Sequence, residues 1–123
     1  MCIFCEILKN QKYVVYENDL VFAILDEYPV SKGHVLIIPK RHVSDYFSLT
    51  LDEKKAMDEA ITWLKERLDH MYHPDGYNLG MNNGEASGQT VMHAHMHLIP
   101  RYKGDTKDPK GGIRGVIHEK QKC

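Results

Sequence analysis

The sequence predicts an α+β domain built on an antiparallel sheet. Short β-type runs come first, one long segment of helical periodicity follows, and two more β-type runs come after it. That order fits one antiparallel sheet with a single covering helix better than alternating βαβ units. The 123 residues suit one domain that buries a core without disulfide staples. We find no internal repeat and no boundary, so residues 1–123 are taken as one unit with a basic tail from about residue 103.

Val14–Tyr16 and Val21–Asp26 are short strand-type runs, and Asn18-Asp19 between them marks a hairpin turn. Residues 28–33, YPVSKG, form a loop. His34–Pro39, HVLIIP, is nearly continuous in apolar residues, the pattern of a strand buried on both faces. Thr50 and Glu53 form a capping box. Behind it Ala56, Ala60, Leu64 and Leu68 recur every fourth residue, with Met57, Ile61 and Trp63 widening the stripe, so a helix is expected to about Met71. Tyr77–Met81 is the next strand. NNGEASG (82–88) is a polar loop, and Met92–Ile99 is the last strand, closed by Pro100.

Net charge is −1, which gives the whole molecule no general attraction for nucleic acid. Arg101–Lys122 nevertheless carries seven Lys/Arg against three Asp/Glu, a tail that either borders an anionic substrate or is simply solvated. No apolar run approaches the ~18–20 residues that span a bilayer. The opening MCIFCE lacks the basic flank and apolar stretch of a signal peptide. The expectation is a cytoplasmic protein with no membrane or nucleic-acid partner. In a reducing compartment Cys2-x-x-Cys5 serves either as metal ligands or as a redox pair. Cys123 receives no role.

Residues 93–97 read HAHMH. On a strand, alternate residues share a face, so His93, His95 and His97 align about 6.6–6.8 Å apart while Ala94, Met96 and Leu98 face the core. Packing accounts for the apolar positions and not for three imidazoles in register. They serve as metal ligands, as acid–base groups, or as a nucleophile with helpers. One metal on all three would require a bend, because the outer pair is about 13 Å apart on a straight strand. A division of labour therefore fits better.

This His-x-His-x-His run, followed by Leu98-Ile99-Pro100-Arg101, resembles the signature of the histidine-triad superfamily of nucleotide hydrolases and transferases, in its bacterial zinc-containing branch. GHVLIIPKRH (33–42), NNGEASGQTV (82–91) and FAILD (22–26) resemble further blocks of that family, so the likeness spans about residues 2–102. It implies a sheet of about five strands, one long helix, a short N-terminal helix and a homodimer. It also implies hydrolysis at the α-phosphate of nucleoside phosphoramidates or dinucleoside polyphosphates, through a nucleotidyl-histidine intermediate. The substrate would be a purine nucleotide such as an AMP derivative. His95 would be the nucleophile, with its other ring nitrogen held protonated by a carbonyl. His97 would contact the phosphate or the bridging atom, His34 would order the triad, and Gln89 and Thr90 would donate hydrogen bonds. Asp26 would accept from ribose hydroxyls, Asn82 would be a further polar contact, and Ile3, Phe4 and Ile24 would line the base pocket. Glu27 stands where many phosphoramidases carry an apolar residue. Cys2, Cys5, His42 and His93 match the ligands of a structural zinc, while His70, His73 and His118 read as surface residues. The alternatives are a nucleotidyl transferase, which shares the intermediate, and a nucleotide-binding or adaptor module with little turnover.

Overall fold

A computed structural model describes residues 2–122; Cys123 lies outside them. The helices are α1 (Ile3–Asn10) and α2 (Leu51–Tyr72), and the strands are β1 (Val14–Glu17), β2 (Val21–Leu25), β3 (Val35–Pro39), β4 (Gly76–Gly80) and β5 (Met96–Arg101). The strands form one antiparallel sheet in the order β1-β2-β3-β5-β4. The fold is the α+β arrangement expected, including the short N-terminal helix.

Helix α2 covers one face of the sheet. Ala56, Met57, Ala60, Leu64 and Leu68 pack there on Val21, Ala23, Val35, Ile37 and Leu98. Helix α1 covers part of the other face, where Phe4 packs with Phe22, Ile24, Leu36 and Ile38. Strands β2 and β3 are thus enclosed from both sides, which explains their unbroken apolar runs. The capping box of α2 forms as predicted, with the Thr50 hydroxyl accepting from Glu53 N and Glu53 Oε1 accepting from Thr50 N. Glu53 is buried and also takes a bidentate bond from Arg41, at 2.7 and 3.1 Å. Among the described residues no helix is long and apolar enough to cross a membrane.

The last strand departs from expectation. It begins at Met96, not Met92, and continues through Pro100 to Arg101. Residues 91–95 are drawn toward the segment after β3: Ala94 N donates to Val43 O at 2.7 Å, and His93 Nε2 lies 2.7 Å from Pro39 O. Pro100 is tolerated because the β3 ladder stops at the pair Val35–Leu98. On that side the Pro100 carbonyl accepts from Ser31 Oγ instead. The expected alternation of faces survives: Ala94 and Leu98 are in the α2 core with Met96 packed against it. Strands β3 and β4 each sit one residue earlier or later than their expected starts, and α2 runs one residue past Met71.

Candidate active site and metal centre

Strand β5 carries His97 beside Leu36 of β3, and His34 precedes β3, so the two rings meet across neighbouring strands. His34 Nε2 is 2.9 Å from His97 Nδ1 and 3.4 Å from Asp26 Oδ2. His34 is almost fully buried. Burial pushes the His97 pKa down to about 4 and lowers that of His34 as well, with Asp26 opposing both shifts. Both rings are therefore neutral at pH 7.

His95 is buried to 8% exposure, its ring edge-on to Phe4 at 5.0 Å and to His97 at 5.3 Å. Its Nδ1 lies 2.8 Å from the His93 carbonyl. A carbonyl only accepts, so Nδ1 holds the proton and Nε2 holds the lone pair. This is the carbonyl support expected for a histidine nucleophile.

His95 and His97 line a cleft of about 680 Å³ between α1, the end of β2 and the loop before β5. Ile3, Phe4, Ile24, Asp26, Asn82 and Thr90 line it too, so the structure brings together six of the expected contact residues. The neighbouring Asn83 accepts from Tyr46 N and builds the turn. Gln89 lies elsewhere. Only 3% exposed, its Nε2 donates to Ser44 O at 2.6 Å and to Val91 O at 3.0 Å, and its Oε1 accepts from Gly84 N at 2.8 Å. Its hydrogen-bonding groups are engaged by backbone, which corrects the expectation that it donates to substrate. Sequence reasoning missed Asn10, Lys12, Tyr13 and Tyr28 on the cleft wall. Asn10 ends α1, while Lys12, Tyr13 and Tyr28 are loop residues after α1 and β2, and only the positive φ of Tyr13, 68°, sets one apart. A more open hollow of about 710 Å³ lies between Asn78, Ile99 and the C-terminal turns, away from the triad.

Helix α1 places Cys5 at its first turn and Cys2 at its N-cap, against His42 and His93. Cys2 Sγ is 3.2 Å and Cys5 Sγ 3.7 Å from His93 Nδ1, Cys5 Sγ is 3.6 Å from His42 Nδ1, and the two Nδ1 atoms are 3.1 Å apart. A tetrahedral ion with bonds of about 2.3 Å to sulfur and 2.0–2.1 Å to nitrogen spaces its ligands about 3.3–3.8 Å apart. The tautomer also fits: His93 Nε2 donates to Pro39 O, which turns a lone pair on Nδ1 toward the thiols. Burial and the neighbouring Cys2 raise the Cys5 pKa, a shift that a bound cation reverses. These four residues could hold a metal ion.

Asp26, His34 and His97 form a second cluster with metal-like spacing. Here the chemistry does not fit. His34 Nδ1 accepts from Val30 N at 3.1 Å, so the single proton of the neutral ring sits on Nε2, where a metal would bind.

The HIT domain family model matches residues 8–104. An uncharacterized HIT-like protein of Methanocaldococcus jannaschii is 41% identical over 114 residues, covering 91% of this chain and 88% of its own. An adenosine 5′-monophosphoramidase of Candida albicans is 36% identical, covering 98% and 89%. A HIT family protein structure from Bacillus anthracis matches with a TM-score of 0.80 at 43% identity, covering 85% and 75%. A Zn-bound histidine triad family protein from Mycobacterium smegmatis matches with a TM-score of 0.78 at 33% identity, covering 87% and 79%. On the extent of the family model and of these relatives, the chain belongs to the HIT domain family.

Proposed function

We propose that this protein hydrolyses nucleotide substrates at the α-phosphate, acting on phosphoramidates or dinucleoside polyphosphates of AMP type. The observation that carries the reading is the tautomer of His95. Its Nδ1–H is held by the His93 carbonyl, and its Nε2 lone pair is left for a cleft able to take a nucleotide. In this reading Nε2 attacks the α-phosphorus, the leaving group departs with its electron pair and takes up a proton from solvent, and water then cleaves the nucleotidyl-histidine, releasing AMP and returning a proton to solvent. Ile3, Phe4 and Ile24 receive the base, Asp26 the ribose, and Thr90 and Asn82 the phosphate side. The monophosphoramidase relative supports the substrate class.

We assign zinc to Cys2, Cys5, His42 and His93. Four protein ligands leave no open position, so the ion is structural: it ties α1 to the residue two positions before His95. The Zn-bound relative supports this. The homodimer that the family resemblance implies belongs to the same reading, and sedimentation would test it. The deciding assay follows AMP release from adenosine 5′-phosphoramidate and diadenosine tetraphosphate by wild type and His95→Ala. Release by wild type alone is expected. Equal release by both would falsify the assignment of His95, and AMP binding without release would favour a binding module.

A further inference from the structure

We propose that the backbone amide of Val30 is a positioning group that sets the tautomer of His97 through His34. The inference rests on the hydrolase reading above. Val30 N–H donates to His34 Nδ1 at 3.1 Å, so His34 carries its proton on Nε2. That N–H faces His97 Nδ1 at 2.9 Å, which must then be the acceptor. A neutral His97 is left with its proton on Nε2, as a hydrogen-bond donor on a ring that lines the nucleotide cleft. The reverse order would oppose the Val30 amide to a protonated His34 Nδ1. It would also turn a lone pair of His97 toward an anionic phosphate oxygen.

The amide is held in place by the loop around it. Gly33 takes φ +92°, Ser31 Oγ donates to Pro100 O at 2.6 Å, and Tyr102 OH donates to Lys32 O at 2.7 Å. Asp26 N donates to His34 O at the loop base, and Asp26 Oδ1 accepts from Tyr28 N. Val30 is exposed as a residue and its amide is what reaches His34, so the amide is the part the site uses. Both rings are neutral near pH 7, which makes the choice of tautomer matter.

The test is a long-range ¹H–¹⁵N correlation spectrum of the histidine rings in the free, metal-loaded protein at pH 7.5. His34 and His97 should both appear as Nε2–H tautomers; His97 as the Nδ1–H tautomer overturns the proposal. Val30→Pro removes the donor. Because Asp26 Oδ2, 3.4 Å from His34 Nε2, still favours a proton there, the loss should shift both rings part of the way toward the other tautomer and lower kcat about 10- to 100-fold, with KM within about twofold. Val30→Ala, which keeps the amide, should leave both tautomers as in wild type. Unchanged tautomers and kcat in Val30→Pro would also overturn it, and if that variant does not fold, the wild-type spectrum still decides. The spectrum needs no turnover. Wrong tautomers therefore remove this inference alone, whereas correct tautomers without AMP release remove the hydrolase reading alone.

Discussion

Replacing Gln89 with Glu should destabilise the protein in a pH-dependent way. The side chain is 3% exposed and its Nε2 donates to two carbonyls, Ser44 O and Val91 O. The variant keeps the shape but sets a carboxyl oxygen against both. Protonated, the carboxyl can serve one carbonyl and loses the other bond, worth about 1 kcal/mol. Keeping it protonated costs about 1.4 kcal/mol per pH unit above its ordinary pKa near 4.3, or about 1.6 kcal/mol at pH 5.5 and about 4.4 kcal/mol at pH 7.5. Swinging the side chain out instead forfeits all three bonds, about 3–4 kcal/mol with the buried groups left behind, which caps the loss. The expected destabilisation is about 2–3 kcal/mol at pH 5.5 and about 4 kcal/mol at pH 7.5. The sign follows from linkage. A carboxyl raised above its unfolded pKa favours the folded state less as pH rises, so the deficit grows upward from pH 4. Urea unfolding followed by fluorescence of Trp63, the single tryptophan, measures it against wild type at both pH values. A loss under about 1 kcal/mol, or an equal loss at both, would refute the hydrogen bonds assigned to Gln89.

Further outcomes follow from the same geometry. His97 has its pKa depressed by burial to about 4, so wild type should lose stability as pH falls from 6.5 toward 4. His97→Gln should lose about 2 kcal/mol less over that window in the same urea assay. Gly33→Ala sets a methyl 3.0 Å from Leu68 and Tyr72 at φ +92°; a loss of about 1–3 kcal/mol is expected, and no change would contradict the packing. Cys5→Ser should lower bound zinc per chain and the melting temperature together, and metal content equal to wild type would remove the assigned centre.

Local patterns fix much of this protein. The stripe from Ala56 to Leu68, the Thr50–Glu53 box and the apolar run of β3 specify their elements because each depends on residues close in the chain. The spacing of the histidines singles out the site because alternation aligns side chains along one face. Other features are settled only where distant segments meet. Met92–His95 has the alternation of a strand, yet the pull of Pro39 and Val43 bends it and turns His93 to the thiols of α1. Gln89 carries a donor type suited to phosphate, and no local pattern shows that Ser44, 45 residues earlier, claims it. The tautomers of His34, His95 and His97 depend on the Val30 amide, the His93 carbonyl and one another. Backbone amides and carbonyls are common to nearly every residue, so only the tertiary fold decides which of them reaches a ring.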